Sequence, residues 1–409
     1  MQERNHTRKK KQHWIAPLFQ IRSQHGFYHA SLPKLHLEDI RFHNYFRMFA
    51  TQLEALLSVV GPHLQKQDFI REAITPAERL ALTLRYLTSG DSMTSMTFQY
   101  LMGKTTVCNI VRETCSVIWN VLHPMVLPPI LTKEKWIEIT RDFKELRNFI
   151  HCIGAIDGKH VIIQVRTSPH SPNNAGSSYY NYKGAYSVVL LAICDAQYIF
   201  RYVDIGAYGR QSDGGIFQAS TIGQKFDSDH MNVPKPAAIE GGRILPYCLV
   251  GDEAFPLKSY LLRPYPGKNG LTPEQAVYNY RLSRTRRMIE NTFGILASQW
   301  RIYRKPIIAN PKNVMLMIQA TVCLHNWLRK CDADNATYLN AGLVDEDDPN
   351  SSNGFRDGSW RRIFENGCAF TDITRSGSNM SARRCMTIRD KFCDYFNNEG
   401  AVSWQENRF

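Results

Sequence analysis

Gly154-Ala155-Ile156-Asp157-Gly158-Lys159-His160 sits inside an apolar, β-branched stretch running from Cys152 to Val165, and the chain changes character there. Up to Phe149 apolar residues recur at three and four, the period of helices. Beyond it short apolar runs follow one another, as strands do. Ser187 to Cys194 is a second run and Tyr198 to Ile205 a third, the two separated by the turn-length Asp195-Ala196-Gln197. A loop from Gly206 to Gly215 precedes a helix starting at Ile216, a fourth strand at Tyr247 to Val250, and a long helix from about Thr272 to Trp300. Leu282, Ile289, Phe293, Leu296 and Trp300 form one stripe of that helix. Three antiparallel strands, a helix, another strand and further helices predict an α/β fold, a mixed sheet flanked by helices.

The preceding residues, 37–149, read as an all-helical domain. Thr75, Pro76 and Glu78 mark one helix start, with Glu78 placed to reach back to the cap, and Gly90 marks its end. A short helix from Ser92 to Leu101, a turn at Gly103 and a helix carrying Val107, Ile110, Val111, Thr114, Val117, Ile118 and Val121 on one face give a helix-turn-helix outline. Lys104, Thr105, Asn109 and Arg112 on its free face would then meet DNA, although three packed helices are equally a plain way to build a small core. Residues 1–36 read as a basic, flexible arm in which Arg8, Lys9, Lys10 and Lys11 suit nuclear import, phosphate contact or a solvated tail. The catalytic domain is expected at 150–331, a polar mobile linker at 332–381, and a C-terminal helix around Ile388, Phe392 and Phe396 docking on the body within 382–409.

The chain has 409 residues, enough for two domains, and a formal charge of +13 that favours a polyanionic partner. Ten cysteines stand singly, without a CxxC pair, which suits a reducing compartment. Cys323, His325 and Cys331 lack a fourth ligand at finger-like spacing. The apolar runs are too short for a signal-peptide core or a membrane span, so a soluble protein without membrane attachment is expected.

Phosphodiester cleavage needs an activated water and a stabilised leaving oxygen, and two divalent ions about 4 Å apart can supply both. Such hard ions take oxygen ligands, so carboxylates converging from different elements are the expected protein contribution. Asp157 is an isolated acid amid apolar residues, though Asp157-Gly158 taken by itself is better read as a hairpin turn. Asp252 follows the fourth strand in Gly251-Asp252-Glu253-Ala254-Phe255-Pro256-Leu257 and could equally cap a helix. Glu290 lies beside the apolar stripe of the long helix, one turn after Arg286 and Arg287, where a surface ion pair is the alternative. Taken together they follow the order first strand, later strand, following helix that a metal-carboxylate nuclease platform needs.

On Ala155-Ile156-Asp157-Gly158 with His160, Gly251-Asp252-Glu253-Ala254-Phe255-Pro256-Leu257, and Tyr278-Asn279-Tyr280-Arg281-Leu282-Ser283 running into Ile289-Glu290-Asn291-Thr292-Phe293-Gly294, the sequence resembles the DDE transposases of the PIF/Harbinger group and their host-domesticated nuclease relatives. The likeness is close from Ile153 to Trp327. Lys159 stands where relatives often carry a smaller residue. The resemblance implies a ribonuclease-H-like, retroviral-integrase-like core, with Asp157, Asp252 and Glu290 as catalytic and metal-holding triad. It implies Mg²⁺ or Mn²⁺ as cofactor, with two ions, and a nuclear protein with room for a cytoplasmic pool. It also implies a Myb-like DNA-binding partner. The expected activity is metal-dependent DNA cleavage, with or without strand transfer from a 3′ hydroxyl and with paired ends favouring a homo-oligomer. The alternatives are a catalytically silent adaptor that binds DNA or a Myb-like partner, and a ribonuclease acting on RNA–DNA hybrids.

Around the triad Arg281, Arg284, Arg286, Arg287, Arg301, Arg304 and Lys305 make the long helix and its exit basic, and some are expected to follow a phosphate track. His160 is a candidate for proton movement or a structural role, and Asp213 a candidate extra acid.

Overall fold

A computed structural model describes residues 15–68, 72–164, 179–181, 183–209, 213–267, 270–331, 338–348, 351, 354–365, 367–373 and 382–405. The chain divides into two compact units, Met1–Thr114 and Cys115–Phe409.

The first unit is helical: α1 (Asp39–Phe46), α2 (Ala50–Leu64), α3 (Pro76–Ser89), α4 (Met93–Tyr100) and the opening of α5 (Lys104–Val126). Thr75 caps α3 by accepting the Glu78 N–H at 3.2 Å, and Gly90 ends it in the left-handed region at φ 68°. Glu78 does not reach back to the cap. Its carboxylate is buried on Arg22 at 2.6 Å, and burial raises its pKa against the pull of Arg22 and His29. Arg22 belongs to a series of four-residue helical turns between Pro17 and Leu35, so residues 15–36 are structured rather than a flexible arm. The basic cluster Arg8 to Lys11 lies outside the described residues. Leu101 to Gly103 join α4 to α5, where Val107, Ile110, Val111 and Thr114 are buried and Lys104, Thr105, Asn109 and Arg112 exposed.

The division at Thr114 corrects the helical domain expected to extend to residue 149. Amphipathic periodicity says that a helix buries one face, not which core receives it. α6 (Lys133–Arg147) belongs to the second unit, where Trp136 is fully buried near Tyr202 and donates Nε1–H to the Met231 carbonyl at 2.9 Å.

The second unit is built on a sheet of β1 (Cys152–Ile163), β2 (Tyr186–Cys194), β3 (Phe200–Tyr208), β4 (Cys248–Val250) and β5 (Leu261–Leu262), in the spatial order β3-β2-β1-β4-β5. β2 runs antiparallel to β1 and β3, while β4 is parallel to both β1 and β5. β1 is covered on both faces, which is why it reads as a nearly continuous apolar run instead of alternating. The third strand begins at Phe200 because Tyr198, at φ 60°, completes a turn in which Asp195 Oδ1 accepts the N–H groups of Gln197 and Ile199. α7 (Asp213–Ala219) and α8 (Thr221–Asp227) lie between β3 and β4, and α9 (Pro273–Gln299) follows β5. Thr272 and Gln275 form the capping box that opens α9. The helix packs on β1 and β2, and α10 (Pro311–Cys331) on β2 and β3.

The polar stretch expected to be a mobile linker at 332–381 instead folds onto this body wherever it is described. It forms α11 (Trp360–Glu365) and β6 (Phe370–Asp372), and β6 pairs antiparallel with β1 alongside Lys159 to Val161. Trp360 lies against Gly294 of α9, where a Cβ would come within 2.4 Å of the indole. Asp345 is 3 % exposed and accepts the Gly358 N–H at 2.8 Å and the Arg361 guanidinium at 2.5 Å. Composition misled because these acids are satisfied by arginine rather than by water. Residues 332–337 and 374–381 lie outside the described residues. α12 (Arg383–Asn397) docks as expected, Phe392 and Phe396 packing on Phe149. All ten cysteines are free thiols, and no helix of the described residues is long and apolar enough to cross a membrane.

Candidate active site

Asp157 stands in the middle of β1, opposite Ala192 of β2, and Gly158 stands opposite Leu191. The hairpin reading of Asp157-Gly158 is therefore overturned. A continuous strand places Asp157 and Lys159 on one face, with Glu290 and Phe293 of α9 near it: the Lys159 ammonium lies 5.9 Å from the Phe293 ring centre. β4 is in parallel register with β1, Val250 pairing with Ala155, so two residues further on each strand Asp252 leaves the sheet level with Asp157. Gly251 permits this close turn, since a Cβ there would lie 2.9 Å from Phe255 and 3.1 Å from Ile156. Asp252 caps no helix. Its Oδ1 accepts the Ala254 N–H at 2.9 Å in a turn leading on to β5.

The three acids share one electrostatic environment. Asp157 is 5 % exposed, and its pKa is pushed up to about 6, first by burial and further by the charges of Asp252 and Glu290, against Lys159 and Arg286. Lys159 Nζ lies 3.3 Å from Asp157 Oδ2 and also pairs with Asp372 on β6. Burial would lower the Lys159 pKa, but Asp157 and Asp372 hold it above its ordinary value. Glu290 Oε1 takes Arg286 Nη1 at 2.7 Å, and Oε2 lies 3.9 Å from Arg361 Nη2. The ion pair foreseen as the alternative for Glu290 exists, with both side chains less than one-fifth exposed.

An all-carboxylate donor set suits a hard divalent cation, and a buried acid whose pKa is raised first by burial and then by two nearby carboxylates is the electrostatic setting such a cation relieves. Among the described residues, however, no group of three or more His, Cys, Asp or Glu side chains stands at metal-holding spacing. Glu290 is turned to Arg286 and Asp157 to Lys159, so cationic side chains compensate these two acids here. The donor chemistry fits, in a charge-compensated arrangement.

The basic residues expected on a DNA track divide sharply. Arg281 is 1 % exposed and donates to the Asn148 and Gly400 carbonyls and to Gln405 Oε1. Burial takes its pKa down to about 10. Arg284 holds the Arg147 carbonyl, Asn148 and Asp347, and Arg287 holds Asp347 with its guanidinium 4.2 Å from the Phe355 ring centre. These three are internal struts, a correction with a plain cause: α9 is buried nearly all round through its middle, so its arginines meet protein before solvent. Arg286 belongs to the acid cluster. Arg301 and Arg304 are half-buried and Lys305 is exposed.

His160 is fully buried, three residues from Asp157 and so on the opposite face of β1, where Nδ1 meets Ser187 Oγ at 3.0 Å. Burial, helped by Lys183, lowers its pKa to about 4, which suits a neutral structural imidazole. Asp213 is the first residue of α7, and its side chain lies outside the described residues. His325 donates Nε2–H to the Tyr198 carbonyl at 2.8 Å and accepts from Tyr338 at Nδ1, while Cys331 is exposed. Sequence reasoning missed Asp372 and Arg361, because both lie in the stretch read as linker; the short apolar Ala369-Phe370 was the available signal.

Residues 156–326 match the family model described as DDE superfamily endonuclease. Human putative nuclease HARBI1 is 24 % identical over 309 residues, covering 74 % of this chain and 82 % of that protein. The ALP1-like protein of Arabidopsis thaliana is 27 % identical over 276 residues, 67 % of this chain and 65 % of that one. The Arabidopsis protein named antagonist of like heterochromatin protein 1 is 22 % identical over 302 residues, 72 % of this chain and 74 % of the relative. No solved structure matches the chain. Asp157, Asp252 and Glu290 all lie within the stretch that matches the DDE superfamily endonuclease family, and the chain is a relative of the proteins named putative nuclease HARBI1 and ALP1-like, consistent with a Harbinger transposase-derived nuclease.

Proposed function

We propose that this protein is a divalent-metal-dependent DNA endonuclease of the DDE type with a ribonuclease-H-like core, in which Asp157, Asp252 and Glu290 hold Mg²⁺ or Mn²⁺. The supporting observation is that the β4-exit acid Asp252, level with Asp157 across the parallel β1–β4 register, and the α9 acid Glu290 both lie close enough for their charges to act on the mid-strand Asp157. The β3-β2-β1-β4-β5 order, with two antiparallel pairs of neighbours followed by two parallel ones, supports the core assignment. When bound, the ions would activate water and stabilise the leaving 3′ oxygen of a phosphodiester. Asp157, the most enclosed of the three, fixes the floor of the site from the rigid sheet. Asp252 approaches from a turn pinned by its own side chain, and Glu290 from a helix locked in the core. Lys305 and, in the helical unit, Lys104 and Arg112 are exposed cations suited to phosphates. Nuclear residence, a Myb-like delivery partner and self-association for paired-end work belong to the same reading, as does strand transfer in an active element.

The test is cleavage of labelled duplex DNA with Mg²⁺ or Mn²⁺ by the protein and by Asp157→Ala, Asp252→Ala and Glu290→Ala. Cutting that needs metal and vanishes in all three variants supports the reading; folded, DNA-bound protein that never cuts refutes it. A second reading is favoured by the ion pairs that Asp157 and Glu290 already make: a domesticated adaptor that binds DNA or a Myb-like partner without cutting. Such a protein would bind DNA equally well with Asp157→Ala and without metal.

A further inference from the structure

Lys159 and Asp372 are cross-strand partners on β1 and β6, and Lys159 follows Asp157 by two residues on the same face. The ammonium is thereby held between two carboxylates: Asp157 at 3.3 Å, enclosed in the sheet, and Asp372, whose side chain is 76 % exposed. A divalent cation bound at Asp157 would be repelled by this positive charge 3.3 Å from the carboxylate. The enclosed position gives the repulsion little water to screen it. Asp372 offers the ammonium an alternative partner on the outer side, within reach of the same side chain.

We propose that Lys159 is a resident counter-cation that competes with divalent metal for Asp157, and that Asp372 is the positioning residue that draws it aside when metal enters. This deepens the metal-nuclease reading and rests on it. The late segment, through β6, then sets the metal affinity of a site built about 200 residues earlier in the chain. With Asp372 intact the site loads at moderate metal concentration; without it, Lys159 falls back on Asp157 and excludes the ion.

The experiment is Mn²⁺ binding to the full-length protein by isothermal titration calorimetry, with no DNA present, for wild type, Lys159→Met, Asp372→Asn and the double variant, with Asp157→Asn as control. Lys159→Met is expected to tighten Mn²⁺ by on the order of tenfold or more, since a full charge leaves the enclosed site. Asp372→Asn is expected to weaken it severalfold in the wild-type background. In the Lys159→Met background it should have little effect, the non-additivity that separates action through Lys159 from a plain loss of negative charge. Melting curves without metal identify any variant that fails to fold, and Lys159→Gln then replaces Lys159→Met. If Lys159→Met binds no more tightly than wild type while Asp157→Asn abolishes binding, the competition is refuted and the metal site stands. Equal weakening by Asp372→Asn in both backgrounds refutes the positioning role. No Mn²⁺ binding by wild type or Lys159→Met overturns the metal reading and this inference with it.

Discussion

Replacing Arg281 with alanine separates two roles that the sequence alone presents as interchangeable. A basic residue on the helix that carries Glu290 would be expected on a phosphate track, and its loss would then weaken DNA binding and lower the salt dependence by about one unit of slope. The structure assigns it otherwise. Its guanidinium, 1 % exposed, joins the Asn148 carbonyl that follows α6 to Gly400 and Gln405 beyond α12, and lies 4.5 Å from the Phe396 ring centre. Alanine leaves the part-buried Asn148 and Gly400 carbonyls without a donor, each costing about 1–3 kcal/mol unless water reaches it, leaves Gln405 Oε1 with only the Val402 N–H, and forfeits the ring contact. Allowing for partial hydration of the space, the loss is about 3–5 kcal/mol, or roughly 5–15 °C in Tm for a unit of this size. Thermal unfolding, with amide exchange across 383–405, reads the loss directly, and Arg281→Lys should fall between wild type and alanine because it keeps charge without the fork. DNA affinity measured below the transition, across a salt series, should keep its slope. A variant with wild-type melting and a reduced salt slope would refute the structural assignment.

Gly294→Ala forces a Cβ to within 2.4 Å of the Trp360 indole, so α11 must shift at a cost of about 1–3 kcal/mol; faster amide exchange over 354–365 is the readout, and unchanged exchange would contradict the packing. Lys305→Ala removes an exposed cation and should lower the salt slope of DNA binding by about one while leaving stability within about 0.5 kcal/mol, as electrophoretic shifts and melting would show. His325 is neutral in the fold, its pKa taken down to about 3 chiefly by burial. The unfolded chain therefore binds the extra proton, and this contribution to stability is complete above pH 6.5 and lost as pH falls toward 3. Urea unfolding at pH 7 and pH 5 should show about 2 kcal/mol of that loss, absent from the pH slope of His325→Gln. An unaltered slope in the variant would mean that His325 titrates freely in the native state.

Much of the sheet-bearing unit was legible because its signals are local. The apolar runs at Cys152, Ser187 and Tyr247 announce strands, and the stripe of Leu282, Ile289, Phe293, Leu296 and Trp300 announces α9. The short connection from Cys194 to Phe200 leaves β2 and β3 little choice but to pair antiparallel, whereas the β1–β2 and β1–β4 pairings join segments further apart in the chain. What remained ambiguous was ambiguous for the same reason. Asp157-Gly158 is a good turn dipeptide, and only the long-range pairing to Ala192 on one side and the parallel approach of β4 on the other hold it extended.

The sequence by itself determined the kinds and order of the elements between Cys152 and Trp300 and singled out the three acids as candidates, since propensity, capping and hydrophobic period act within a few residues. Tertiary structure alone decided where α5 divides between the two units, which arginines are struts, and that the polar stretch around Asp345 and Asp372 returns to the sheet. Those outcomes depend on partners far away in the chain: Asp345 is content in the core only because Arg361 and Gly358 meet it, and Arg281 is lost to solvent only because α12 closes over it. A charge read in isolation looks exposed, because its compensating partner is not its neighbour in sequence.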